Sequence, residues 1–293
     1  MTVEVMQIVQ ALWGSWGYEA GEPDQSGVFA DSAHVKAVNL QGQHVGSRGP
    51  LPIPPSEQGQ PVIFQAGGSG YGLQVAGMYA DVVVGMPLTI EDSRAQREMT
   101  RRAAVEAGRD ADDVKFVAFA SFSLGESVRE ALDRRRALDD KVDASERVAL
   151  LGALLGLDLD PTRSDDPLTS RQLSAARPHP MDPRSSDALD LAKNGWSPRD
   201  MIARGLVDPY PGSVGTAADA ADLLQEWFEA GAVDGFIVTV DSLHDGLAPF
   251  VDDVVPVLRD RGLFPAEARP TMRENLGLPA LYGLDSRLAR HKG

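Results

Sequence analysis

The chain opens on a helical rhythm: Val3, Val5, Met6, Ile8, Val9 and Leu12 fall at near-helical spacing, which predicts a helix over residues 3–12. No capping residue precedes this pattern, so it reads as a helix entered part-way, with further sequence expected upstream. Trp13-Gly14-Ser15-Trp16-Gly17 and a Gly/Pro/Asp-rich loop follow. Weak alternation over residues 28–45, with Gln41-Gly42-Gln43 as its turn, predicts a hairpin, and residues 50–59 form a proline-rich connector.

From Pro61 the pattern changes. Pro61-Val62-Ile63-Phe64-Gln65 is a short apolar strand, Ala66-Gly67-Gly68-Ser69-Gly70 a glycine turn, and residues 71–79 a helix. The same unit recurs with a strand at 80–85 and a helix at 90–107, where Thr89 and Asp92 have capping-box spacing and Gly108 sits at the stop. A third strand at 114–122 precedes a charged helix at 127–142, and a fourth at 236–240 precedes a last helix at 247–262. Before that fourth strand, Thr216 caps a helix over 217–230. Strands apolar on both faces that alternate with helices imply a parallel sheet, either a barrel or an open doubly wound sheet. Residues 143–211 interrupt the rhythm with Pro161, Pro167, Pro178, Pro180 and Pro183, and so long a connection is expected to be a lid or a mobile insertion. No internal repeat or low-complexity segment is evident.

Composition narrows the function classes. In 293 residues, 43 acids against 28 bases give a formal charge of −15, which argues against nucleic acid or an anionic membrane surface as partner. The absence of cysteine excludes disulfides, thiolate catalysis and cysteine-ligated metals. With neither a secretory layout at the amino terminus nor a long apolar run, the cytoplasm is the default expectation.

Candidate chemistry centres on the glycine turn. It joins a strand's carboxyl end to a helix's amino end, where unpaired N–H groups and the helix dipole favour an anion, and Ser69 could donate one further bond. It departs from the dinucleotide fingerprint and has no Walker lysine. The competing structural explanation is a tight turn with close helix–strand packing. His34, His44, His179, His244 and His291 lack metal-ligand spacing, Ser15, Ser121 and Ser123 lack a nucleophile context, and Trp13, Trp16, Trp227 and Phe228 read as core or groove-filling aromatics.

At this loop the sequence resembles a known family. Gln65-Ala66-Gly67-Gly68-Ser69-Gly70-Tyr71-Gly72 is similar to the Q-A-G-x-S-x-x-G segment of the nitrilotriacetate and dibenzothiophene-sulfone monooxygenases, within the bacterial-luciferase-like class. Leu12-Trp13-Gly14-Ser15-Trp16, Gly49-Pro50-Leu51, Val214-Gly215-Thr216, Asp234-Gly235-Phe236 and Arg273-Glu274-Asn275-Leu276-Gly277-Leu278 resemble it in order and spacing. The resemblance implies a (β/α)8 barrel of which this chain carries the last four strand–helix units and lacks the opening strands. It also implies reduced FMN, supplied by a separate NAD(P)H:flavin reductase, which activates O2 to insert one oxygen atom into a small organic substrate. The loop would meet the FMN phosphate through Gly67, Gly68, Ser69 and Gly70, and residues 143–211 would cover the pocket. The family tends to have a histidine shortly before Val-Gly-Thr; Tyr210 stands nearest here, so it is the one candidate for a catalytic part, although a tyrosine does not become a cation. A half barrel leaves open edges, so a homo-oligomer or a complementary partner is expected. The alternatives are a non-catalytic homologue that binds FMN weakly or serves as a partner subunit, and an open-sheet nucleotide-binding domain unrelated to flavin.

Overall fold

The computed structural model describes residues 1–17, 30–68 and 70–281. In chain order the elements are α1 (Thr2–Trp13), β1 (Leu40–Gln41), β2 (Gly46–Ser47), β3 (Phe64–Ala66), α2 (Gly70–Tyr79), β4 (Val82–Gly85), α3 (Ile90–Glu106), β5 (Lys115–Leu124) and α4 (Val128–Asp139). Then come α5 (Ser145–Leu155), α6 (Ser170–Ala175), α7 (Arg184–Lys193), α8 (Pro198–Ala203), β6 (Gly212–Gly215), α9 (Ala217–Glu229), β7 (Gly235–Val240), α10 (Leu247–Pro249), α11 (Val255–Asp260) and α12 (Met272–Asn275). The chain divides into two compact units, one of residues 1–83, 98–115 and 267–293, the other of 84–97 and 116–266.

In the first unit, α1 forms where the apolar spacing predicts it. The hairpin is shorter and later than expected: β1 pairs antiparallel with β2, Leu40 opposite Ser47. Upstream of it the Asp31 carboxylate accepts the Ala33 N–H and turns Ser32–His34 into one 3-10 turn, so that stretch cannot extend. Residues 28 and 29 of the expected hairpin lie outside the described residues. β3 runs into the glycine loop and α2, and the amides of Asp81 and Val82 both donate to the Ile63 carbonyl, tying β3 to the start of β4. Beneath them lies a buried ion pair. Asp81 accepts two bonds from Arg273, at 3.0 and 3.2 Å, and a third from the Ile63 amide at 3.0 Å. Both ion-pair side chains are only 2% exposed. Arg273 also donates Nε–H to the Pro279 carbonyl at 2.7 Å. This spends the guanidinium on backbone as well as carboxylate, the arrangement that makes a buried charge tolerable.

In the second unit β5 is the central strand, parallel both to β6 (Ser121 beside Gly212) and to β7 (Val117 beside Gly235). β6 was not expected from the sequence. Its Gly-Ser-Val-Gly composition has little strand character, and its pairing with β5 across some ninety residues is what makes it a strand. Gly212 is required there, because a Cβ would lie 2.3 Å from the Ser121 carbonyl oxygen. One face of β5, carrying Ala120 and Phe122, packs against α9 and the helix through Phe250, Val254 and Leu258. That last helix is not continuous as predicted. Pro256 has no N–H to donate, and the turn ahead of it, Phe250–Val254, widens into a π segment between α10 and α11. Residues 143–211 are ordered helices with a core of their own around Val148, Leu151, Leu155, Met201 and Ile202. Helix α8 and α4 meet Val214 of β6 through Ala203, Ala131 and Leu132.

Candidate functional site

The glycine loop is built from a strand end, a bare turn and a helix start. Gly67 has φ +112, a backbone conformation that an L side chain rarely adopts. Gly68 and Gly70 have no such requirement. A Cβ built on Gly67, Gly68 or Gly70 meets no atom of the described residues within 4 Å, so packing among those residues does not explain three glycines in four positions. The close-packing explanation therefore fails at the loop and holds one turn later, at Gly77, where a Cβ would strike the Ala103 carbonyl oxygen at 2.2 Å. Helix α2 is clamped at that end, with Val75, Ala76, Gly77 and Tyr79 buried, while Gly70 and Tyr71 at its start stand open. The Gln65 side chain donates to the Gly72 carbonyl at 2.6 Å and holds the strand end against the helix start. What remains is an exposed run of backbone at the amino end of a ten-residue helix, where the first N–H groups have no partner within the helix itself. Ser69 lies outside the described residues, so its part rests on the sequence.

Tyr210 lies in the other unit. Its ring stacks on Phe119 of β5, centroids 4.6 Å apart and planes inclined by 21°. It borders an open crevice of about 560 Å³ whose polar lining includes Arg184, Asp187, Asn194, Arg204 and Asp208. Phe119 was not singled out from the sequence; its register beside Tyr210, two residues below the Ser121–Gly212 pair, is a long-range fact.

The other resembling motifs turn out to be structural. Ser15 donates to the Leu12 carbonyl at 2.6 Å and accepts the Leu51 amide at 3.1 Å, and the Trp16 ring N–H donates to the Leu51 carbonyl at 2.8 Å. The Leu12–Trp16 and Gly49–Leu51 motifs are thus two sides of one contact. Asp234 accepts from Nη2 and Nε of Arg97, at 2.7 and 3.2 Å, and from the Phe116 amide at 2.8 Å, which fixes where β7 begins. Thr216 and Asp219 form a reciprocal capping box, and the bonds from Thr216 hold the Asp219 carboxyl below its ordinary range. Among the described residues no group of three His, Cys, Asp or Glu side chains is placed to hold a metal ion. His34 pairs with the exposed Asp31, His179 accepts the Met181 amide, and His291 lies outside the described residues. No described helix is long and apolar enough to cross a membrane.

Comparison with known proteins decides the family. The luciferase-like monooxygenases match residues 1–234. The chain belongs to the luciferase-like monooxygenase family. Among curated members it is 35% identical over 300 residues to the dibenzothiophene-sulfone monooxygenase of Rhodococcus erythropolis, covering 97% of this chain and 64% of that protein. Among solved structures, DmoA from Hyphomicrobium sulfonivorans superposes with a TM-score of 0.72 at 29% identity, covering 100% of this chain and 62% of that one. The riboflavin lyase RcaE, solved with modified FMN and riboflavin, superposes at 0.68 with 28% identity, covering 95% of this chain and 61% of that one. The chain therefore spans somewhat under two thirds of these luciferase-like relatives. The family uses flavin, and the open loop fits a flavin's phosphate: bare glycines where a Cβ would project into free space, amides at a helix start and no acidic side chain within the loop itself.

Proposed function

We propose that this chain is the flavin-binding part of a two-component monooxygenase, taking reduced FMN from a separate NAD(P)H:flavin reductase and oxygenating a small organic substrate. The observation that carries the proposal is the space around Gly67, Gly68 and Gly70, which the fold leaves unfilled and their own packing does not require. The Gly68 and Gly70 amides donate to the phosphate, Ser69 adds a hydroxyl donor, and Gln65 keeps the strand end and helix start at fixed separation. Bound reduced flavin supplies the oxygen chemistry; the protein's share is to hold it, keep water from it and select the substrate.

The test is Gly70→Ala and Gly68→Val, read by calorimetric titration with FMN. Because a Cβ there meets no protein atom, the fold should persist while FMN affinity falls at least tenfold, roughly 1.4 kcal/mol. Unchanged affinity would reduce the loop to a turn. A second reading, a homologue that binds FMN without oxygenating substrate, is favoured by Tyr210, whose ring is committed to Phe119. In that case the flavin-loaded protein consumes O2 and releases hydrogen peroxide without oxygenated product.

A further inference from the structure

The crevice of about 560 Å³ beside Tyr210 has walls of two kinds. One is apolar, with Leu88, Leu223 and Trp227; Trp227 is only 5% exposed, so its ring is fixed by packing. The other is helix α7. Asp187, Leu191 and Asn194 stand at i, i+4 and i+7 along it, which brings all three to the crevice side.

Of the charged side chains in the lining, all but one are offset. Arg184 donates to both oxygens of Asp182, at 2.9 and 2.7 Å. The Asp208 carboxylate lies between Arg135 at 2.6 Å and Arg147 at 2.9 Å, and Asp190 meets Lys193 at 3.3 Å. Arg204 donates to the Val214 carbonyl at 3.2 Å and, after the bonds from Thr216, its charge also lowers the Asp219 carboxyl. The Asp187 side chain has no partner among the described residues. Asn194 adds an acceptor beside it, because its Nδ2 donates to the Asp190 carbonyl at 2.8 Å and Oδ1 is left to accept.

Acceptors on one wall and hydrocarbon on the other select the guest. An anion would meet the Asp187 charge unopposed, and a neutral apolar molecule would strip water from that carboxylate without replacing its hydrogen bonds. We infer that the crevice binds an amphipathic organic cation, a primary ammonium on a short alkyl or aryl body. The ammonium donates to the Asp187 carboxylate and to Asn194 Oδ1, while the body lies against Leu88, Leu223 and Trp227. All of these residues belong to the second unit, so the site needs no flavin and is independent of the glycine loop.

Benzylamine, protonated at neutral pH, is the probe, with benzyl alcohol and benzoate as neutral and anionic companions of the same body. Calorimetric titration of the chain is run in salt of about 0.15 M, which screens its net charge of −15 beyond about 8 Å. Benzylamine should bind saturably, one to one and at least tenfold more tightly than benzyl alcohol, and benzoate should not bind. Asp187→Asn should remove that advantage with the circular dichroism spectrum unchanged, since the side chain is exposed in the first turn of α7. Glu229→Gln, at an exposed acid outside the crevice, should leave the advantage intact. No saturable benzylamine binding, equal affinities for the amine and the alcohol, or undiminished amine binding by Asp187→Asn overturns the site. So does an equal loss in Glu229→Gln, because the amine then responds only to overall charge.

Discussion

The excursion at residues 143–211 and the loop at 67–70 occupy the chain in opposite ways. The excursion, the longest break in the strand–helix rhythm, is pinned by side chains: Leu151 and Leu155 are fully buried, and Asp208 bridges Arg135 of α4 at 2.6 Å and Arg147 at 2.9 Å while its carbonyl accepts Arg184 at 2.9 Å. The glycine loop, which follows a strand tied to the Asp81–Arg273 pair through the Ile63 amide, has no side chain at three positions and, among the described residues, no neighbour to replace one. A region that must keep its shape uses side chains against each other. A region that must admit a ligand leaves backbone bare and relies on the anchorage behind it.

The largest effect tests that anchorage. Asp81→Ala leaves the Arg273 guanidinium buried and uncompensated, and should cost about 3–5 kcal/mol in urea unfolding, with loss of FMN binding as β3 loosens. A loss under about 1 kcal/mol would mean that the loop is not held from below. Next, Leu151→Ala in the excursion core should cost about 3 kcal/mol. Its hydrogen-exchange signature should be confined to residues 143–211, and spread into residues 61–79 would break the contrast between the two regions. The smallest effect has the opposite sign. Gly70→Ala, at the first residue of α2, should raise stability by under about 1 kcal/mol, since alanine orders less chain on folding and meets nothing there. A destabilised variant would show that the loop is packed after all.

Much of this architecture is legible in the sequence because it is local. The spacing of apolar residues marks α2 and α3, Ser127 and Thr216 announce their helices as caps, and Gly108, at φ +78, stops α3. What the sequence conceals is non-local. β6 becomes a strand only beside Ser121–Leu124, and Asp81 finds Arg273 across 192 positions. The leucines at 150–159 carry helical spacing, but the prolines that follow them from Pro161 to Pro183 suggest a loose connection until the shared core with α7 and α8 is visible. The candidate site lies between these extremes. Its glycines are conspicuous in the sequence, yet whether they fill a tight corner or stand open depends on the atoms around them, and at Gly68 and Gly70 no described atom lies within 4 Å of a built Cβ.

Titrating the chain in parallel with FMN and with riboflavin isolates the group that the loop is held to recognise, because the two ligands share their ring and ribityl chain and differ in the phosphate. FMN should bind at least tenfold more tightly, with the advantage shrinking in Gly70→Ala. Equal affinities for the two, in the parent protein, would contradict a phosphate grip at residues 67–70.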